Sequence, residues 1–183
     1  MPDRLYAALV RGINVGGYKM VAMADLRELM ADLGFADAHT LLQSGNIVFR
    51  SAVKPPLQIE RLLETETAKR LDIQAEFFVR TAAELQALVS RNPFRAEASR
   101  DPARLVVMFL KQAPDRSGVT ALQAAITGQE TVRTDGKHAY IVYPDGIGRS
   151  RLTGTLIEKK LGTRGTARNW NTVLKLRALA NPS

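Results

Sequence analysis

The chain of 183 residues contains no cysteine and only two histidines, His39 and His138. Without cysteine it can form no disulfide, no thiolate zinc site and no cysteine nucleophile. Two histidines are too few for a histidine-rich metal centre, and no paired carboxylates stand at the helical spacing typical of hydrolases or metal sites. The sequence therefore predicts no metal site, and it identifies no cofactor.

Long apolar runs are also missing, since no stretch approaches the roughly 20 apolar residues that a membrane helix needs. The apolar run at residues 5–10 is short, is flanked by Arg4 and Arg11, and lacks a convincing cleavage region. It indicates a strand and not a secretion signal. The hydrophobic fraction of 45% is typical of a globular chain. We therefore expect a cytoplasmic protein with no membrane partner.

Positive charge is concentrated in the second half of the chain. Residues 1–80 hold 10 basic and 10 acidic residues, whereas residues 81–183 hold 16 basic and 8 acidic ones, which accounts for the net charge of +8. In residues 149–183 the only acid is Glu158, and the charge is +7. This excess favours a phosphate-bearing or otherwise acidic partner. The alternative is a solvated basic face that keeps a small protein soluble.

The first half has the pattern of a βαββαβ unit. Helical spacing of Leu26, Leu29, Met30 and Leu33 predicts an amphipathic helix, which Gly34 is placed to end. The predicted order is a strand at 5–10, this helix, strands at 39–42 and 47–50, a helix from 55 to about 71, and a strand at 73–80. This order predicts the split βαβ arrangement of ferredoxin-like domains.

The second half repeats the plan after a connecting helix, which begins with the capping box of Thr81 and Glu84. Residues 92–103 lack periodicity, so we place the domain boundary there. A strand at 105–110, a helix at 116–126, strands at 130–134 and 137–143, a helix capped by Ser150 and a final helix are predicted next. We therefore expect an α+β duplication of two ferredoxin-like, βαββα-type subdomains, at residues 1–91 and 92–183.

The first candidate site is the loop at residues 11–19, which follows a buried strand. Its glycines would let backbone N–H groups converge on an anion, whose charge two cationic side chains could neutralise. The spacing fits neither a P-loop nor the dinucleotide fingerprint. The alternative is a strand-to-helix connection that uses glycine for its turns. The candidate ligand-binding residues are Arg11, Asn14, Gly16, Gly17 and Lys19.

The second candidate is the turn that contains Ser44 and Asn46. Ser44 has the chemistry of a nucleophile, but no Gly-x-Ser-x-Gly elbow surrounds it and no base is identifiable. The alternative is that Gly45 and Asn46 simply form a tight hairpin.

The third candidate lies at the start of the last helix. Asn169 can cap that helix, Arg164 and Arg168 flank its positive end, and Trp170 could stack on a base or ring. The alternatives are a core Trp170, a plain cap at Asn169 and solvated arginines. The remaining residues of this candidate site are Arg149, Asn171, Thr172 and Lys175.

Several motifs resemble one bacterial family, which is catalogued as domain of unknown function 1697. They are YAALVRGINVGG at 6–17, MADLR at 23–27, LGF at 33–35, QSGN at 43–46, NPF at 92–94, GRS at 148–150 and TARNWNT at 166–172. The resemblance runs from about residue 3 to residue 180. It implies two ferredoxin-like α+β subdomains but no established activity, cofactor or partner, so no catalytic residue is carried over. Its motifs coincide with the three candidate segments.

Three functions are compatible with these patterns. The first is binding of a phosphorylated small molecule or a nucleic acid in a pocket that joins the 11–19 loop to the helix start near Asn169. The second is an enzyme of unassigned reaction that uses Ser44, Asn46 or Asn14 beside the same loops. The third is a structural adaptor, a homodimer formed through free sheet faces. The RNP pattern of RNA-recognition domains is absent from the sequence.

Overall fold

Alternating buried strands and amphipathic helices produce two sheets in the computed structural model, which describes residues 4–11, 22–41, 45–52 and 54–181. The strands in this part of the chain are β1 (Arg4–Arg11), β2 (Ala36–Leu41), β3 (Asn46–Ser51), β4 (Glu76–Thr81), β5 (Leu105–Leu110), β6 (Thr131–Asp135), β7 (His138–Val142) and β8 (Gly165–Asn169). The α-helices are α1 (Met23–Asp32), α2 (Pro56–Leu71), α3 (Ala82–Ser90), α4 (Arg95–Arg100), α5 (Arg116–Ala124), α6 (Gly154–Leu161) and α7 (Trp170–Ala180). Short 3₁₀ turns lie at Pro102–Arg104 and Ile147–Arg149.

Both sheets are four-stranded and antiparallel, with the orders β2-β3-β1-β4 and β6-β7-β5-β8. In each, the strands on either side of the first helix are separated by another strand, which is the split βαβ arrangement. The predicted α+β class, with two antiparallel sheets of one plan, is confirmed. No helix among the described residues is long and apolar enough to cross a membrane.

Contacts divide the chain into two compact units. The first unit comprises residues up to Ala87 together with those from Leu176 onward, and the second comprises Leu88–Lys175. The division therefore falls within α3 and within α7. The domain boundary placed near residue 92 from the sequence stays a prediction.

In the first unit the core lies between the sheet and the helices α1 and α2. Alternate β1 residues face it, as the two-residue period of a strand requires. As predicted, Gly34 adopts a left-handed φ, of 79°, at the end of α1, and Phe35 is buried beside it. The residues of β1, α1 and α2 that form this core are Tyr6, Ala8, Val10, Leu26, Leu29, Met30, Ile59 and Leu63.

The second unit repeats this core with α5 and α6. The Asp135-Gly136 turn joins β6 to β7 with a φ of 54° at the glycine. The hydroxyl of Tyr143 donates to the carbonyl of Leu152 at 3.0 Å, which holds the segment that leads into α6. The core residues of β5, α5 and α6 are Val106, Met108, Leu110, Leu122, Ile157 and Leu161.

The sequence pattern gave no sign of β8. Its residues are small or polar and show no apolar alternation, yet it pairs with β5 in the register Met108↔Ala167. Gly165 lets the strand pass close to the side chains of β5, because a Cβ there would lie 2.7 Å from Met108 Cε and 3.0 Å from Leu110 Cδ2. The strand therefore forms through pairing with β5 and not through its own propensity.

The prediction that Ser150 caps a helix is wrong. The helix α6 begins at Gly154, and the side chain of Thr153 caps it by accepting from the N–H of Leu156. Ser150 instead accepts from the N–H of Leu152 and donates to the carboxylate of Glu130. A serine three residues before the true cap is close enough in sequence to be mistaken for it.

We predict that Gly45→Ala destabilises the protein more than Gly34→Ala. Both glycines lie in the first unit with positive φ, where alanine costs roughly 1–2 kcal/mol. A Cβ at Gly45 would also lie 2.9 Å from the Cβ of Val10, whereas one at Gly34 would meet nothing within 4 Å. The clash should add about 1–3 kcal/mol. Urea unfolding measures both changes, and equal losses would contradict the expectation.

Candidate functional site

The candidate site in the second unit begins where β8 runs directly into α7. Asn169 ends the strand, and its Oδ1 accepts from the N–H of Thr172 at 2.9 Å, so it caps α7 as the sequence predicts. The side chain of Asn169 is exposed. The junction therefore brings the outer strand of a sheet and the positive end of a helix to one place.

Arg168 lies on β8 immediately before this cap. Its Nη1 donates to the Thr166 hydroxyl and to the Ala167 carbonyl, each at 2.8 Å. The side chain is half-buried, and burial lowers the pKa of its guanidinium to about 10. At neutral pH Arg168 thus remains a cation that has lost part of its hydration.

Arg164 is placed differently, because it lies beside a carboxylate. Its Nη1 is 3.4 Å from Glu158 Oε2, while Glu158 Oε1 accepts from the N–H of Gly165 at 2.7 Å. The Arg164 side chain is 57% exposed. Glu158 therefore offsets part of the Arg164 charge and also satisfies the backbone of β8.

The other predicted residues of this segment divide between core and surface. Trp170 is only 5% exposed, which accords with the alternative interpretation that its ring belongs to the core. Thr172 is also buried. Asn171, Lys175 and Arg149 are exposed.

In the first unit, two predicted site residues have structural partners. Arg11 ends β1 and lies opposite Glu76 of β4, with Nε 3.7 Å from Oε2. Asn46 is fully buried, and its Nδ2 donates to the Leu41 carbonyl at 3.1 Å, which closes the β2–β3 hairpin. Asn14, Gly16, Gly17, Lys19 and Ser44 lie outside the described residues. The shared pocket predicted from the sequence therefore stays a prediction.

The outer edge of β4 is covered by carboxylates. Three successive outward N–H groups, those of Phe77, Val79 and Thr81, donate to Glu64 at 3.0 Å, Glu60 at 2.8 Å and Glu84 at 2.8 Å, respectively. Such acceptors prevent an edge strand from pairing with another chain.

The capping box of Thr81 and Glu84 belongs to this row and is confirmed, because the N–H of Glu84 also donates to Thr81 Oγ1 at 3.1 Å. The other two carboxylates were missed from the sequence. Their one signal is a pair of glutamates four residues apart, Glu60 and Glu64, beside the apolar stripe of α2. The expectation that no carboxylates are paired at helical spacing overlooked this pair.

Arg80 lies between these carboxylates and is 2% exposed. Its Nη1 donates to the Val79 carbonyl at 2.8 Å and is 3.8 Å from Glu60 Oε1. Burial lowers the pKa of Arg80, while the charges of Glu84 and Glu60 act in the opposite direction. A buried arginine is thus kept among acids of its own unit.

The second unit repeats this construction at β8. Arg168 donates to the carbonyl of the residue before it, as Arg80 does. The strand registers also correspond, because Arg80 pairs with Ala7 of β1 and Arg168 pairs with Val107 of β5. β1 and β5 are the inner strands next to the edge strands β4 and β8. The two arginines are therefore equivalent positions of the duplicated plan.

A pocket of about 380 Å³ in the second unit was also missed, because the sequence interpretation found no periodicity in residues 92–103 and placed the domain boundary there. Those residues include α4 and a 3₁₀ turn. In the wall of this pocket, Arg104 Nε lies 3.4 Å from Asp101 Oδ2, so basic and acidic side chains lie side by side there. The pocket is lined by Glu97, Arg100, Asp101, Arg104, Gln129, Thr131, Val142 and Pro144. Within the described ranges, no group of three His, Asp or Glu side chains could hold a metal ion.

Comparison with known proteins decides the family. The family model described as "Protein of unknown function (DUF1697)" matches residues 4–140. The chain belongs to this family. The DUF1697 match ends within β7, before the 164–175 segment begins.

A solved structure extends the similarity over the whole chain. The conserved bacterial protein SP0830 from Streptococcus pneumoniae is 27% identical, with a TM-score of 0.77 over 98% of this chain and 99% of its own. The fold of this DUF1697 member, with β8 and α7 included, is therefore shared by a bacterial relative. No curated protein matches the chain.

We predict that Glu60→Ala strongly destabilises the first unit. The substitution removes the acceptor of the Val79 N–H and a carboxylate next to buried Arg80. Breaking a buried ion pair costs about 3–5 kcal/mol. The matched control is Glu28→Ala on the exposed face of α1, which should change stability by less than about 0.5 kcal/mol. Urea unfolding followed by circular dichroism measures both, and a loss below about 1 kcal/mol for Glu60→Ala would contradict the structural role.

Proposed function

We propose that the protein binds an anionic ligand, a phosphorylated small molecule or a nucleic acid, chiefly through the basic segment 164–175. The charge of the two units carries this proposal. The second unit holds 15 basic and 7 acidic residues and thus the whole net charge of +8, whereas the first holds 11 of each and is neutral. Such one-sided charge concentrates anions near one part of a surface.

The placement of the basic side chains supports the proposal. Arg149, Arg151, Lys159, Arg164 and Lys175 are all exposed, so their charges reach solvent. Exposed lysines and arginines can neutralise phosphates and release counterions without first breaking the core.

We also propose that the loop at residues 11–19 contributes to anion binding, with Arg11 and Lys19 as its cationic side chains. Its role rests on its sequence and on the family resemblance. We propose a cytoplasmic location for this binding, since nucleotides and nucleic acids are abundant in the cytoplasm.

The first test is binding at low and moderate salt. Fluorescence anisotropy with a fluorescein-labelled oligonucleotide, and calorimetry with a nucleoside triphosphate, should detect binding at 50 mM salt. For the oligonucleotide, the affinity should fall with salt, with a logarithmic slope close to the number of phosphate contacts. If neither probe binds at low salt, the proposal is wrong.

The second test locates the binding. Arg164→Ala combined with Lys175→Ala should weaken oligonucleotide binding about tenfold at low salt and reduce the salt slope by about 2. Arg61→Ala combined with Lys69→Ala removes the same charge from exposed positions of α2 in the neutral unit and should have little effect. Equal losses in both double variants would assign the binding to net charge and not to this segment.

A further inference from the structure

The outer edge of β8 presents its amides in the same way as β4. The N–H of Gly165 points away from β5, because it donates to Glu158 at 2.7 Å. Residues two apart on a strand direct their N–H groups to the same side, so the N–H of Ala167 also points outward. Ala167 is exposed, and within the described part of the chain no side chain accepts from its amide.

In the first unit the equivalent amide meets a carboxylate. Val79 stands immediately before Arg80, as Ala167 stands immediately before Arg168. The N–H of Val79 donates to Glu60. Glu60 lies one helical turn before Glu64, which takes the next amide down the strand. Four helical residues rise about 6 Å, and two strand residues span nearly the same length, about 6.7 Å, so the helix and the strand stay in step.

The same reasoning in the second unit leads to Gly154. Glu158 is equivalent to Glu64, because each accepts from an outward N–H group of the edge strand. The residue four positions before Glu158 on α6 is Gly154. It is exposed, and a Cβ built on it would meet nothing within 4 Å. Where the first unit has the buried side chain of Glu60, the second has open space.

The second carboxylate of the first unit has no acidic counterpart either. Glu84 stands three residues after the cap residue Thr81 and accepts from its N–H. Three residues after the cap Asn169 stands Thr172. Both carboxylates that raise the pKa of Arg80 are thus replaced, by glycine and threonine, around Arg168.

We propose that the outer edge of β8 is an oxyanion site, in which a carboxylate or phosphate group of a ligand takes the place that Glu60 occupies in the first unit. The oxyanion accepts from the N–H of Ala167 and lies next to the Arg168 guanidinium. It occupies the open space that a side chain at position 154 would fill. This inference rests on the proposed anion binding and narrows it to one edge of one strand.

The electrostatics of Arg168 agree with such a site. Burial lowers the pKa of its guanidinium to about 10, so it stays charged at neutral pH while it has lost hydration. A partly desolvated guanidinium forms stronger charge-assisted hydrogen bonds than a fully solvated one. The bound oxyanion should raise the pKa of Arg168, as the glutamates raise that of Arg80.

The test is to supply the missing carboxylate from the chain itself. Gly154→Glu puts a glutamate at the position equivalent to Glu60, and Thr155→Glu puts the same charge one residue along the same exposed first turn of α6. Both variants of the full chain are made with ¹⁵N label, and backbone amide spectra verify their folding. Inorganic phosphate and sodium acetate are then titrated separately at constant ionic strength.

In the wild-type protein and in Thr155→Glu, at least one of the two anions should shift the Ala167 amide saturably. In Gly154→Glu the apparent affinity should fall about tenfold or more, which corresponds to the loss of a charge-assisted hydrogen bond. Whichever anion binds more tightly identifies the ligand group as phosphate or carboxylate. Gly154→Glu should also unfold at higher urea concentration than the wild type, because its own carboxylate then caps the edge.

Three outcomes would overturn this inference. If the wild type binds the oligonucleotide or nucleotide but neither anion shifts Ala167, the oxyanion site is wrong while the proposed function stands. If both glutamate variants lose affinity equally, net charge and not the edge position governs binding. If the wild type binds no anionic probe at all, the proposed function fails together with the site.

Discussion

Backbone amides at the edge of a sheet need acceptors, and in this protein glutamates from the neighbouring helices supply them. Water could satisfy the same N–H groups, but an edge left to water can pair with any extended chain. Glu60, Glu64 and Glu84 cover β4, and Glu158 covers the start of β8. This requirement fixes how α2 and α6 lie on their sheets, and it explains why charged side chains are buried in a small fold.

The two units meet this requirement to different degrees. In the first unit the buried arginine lies beside carboxylates of the same unit, and the unit as a whole is neutral. In the second, the equivalent arginine is half-buried and the unit carries the net charge of +8. Two copies of one architecture therefore differ in electrostatics: one is internally compensated, and the other attracts negative charge from outside.

Sequence patterns predicted the elements whose signals are local. Helical spacing around Leu26, the αL glycine at Gly34 and the Thr81–Glu84 box all depend on residues within a few positions of each other. By contrast, β8 owes its existence to pairing with β5, and the contact of Glu60 with Val79 joins residues 19 apart. The strand β8 leaves no periodic trace in the sequence, and the only trace of the second contact is the four-residue spacing of Glu60 and Glu64. For the same reason the sequence singled out Arg168 but gave no sign of Gly154, since a glycine at a helix start is informative only beside its counterpart in the other unit.

The two hydrogen bonds from β4 to α2 also couple two different periodicities. Glu60 and Glu64 are separated by four residues of a helix, and Phe77 and Val79 by two residues of a strand, so both bonds form only at one rotational setting of α2. Insertion of a single residue within α2 between the two glutamates would rotate one of them by about 100° away from the sheet. Length changes in the connection that follows Leu71 leave that rotation untouched. The length of the connection after Leu71 can therefore change without breaking these two hydrogen bonds, whereas the length of α2 between Glu60 and Glu64 cannot.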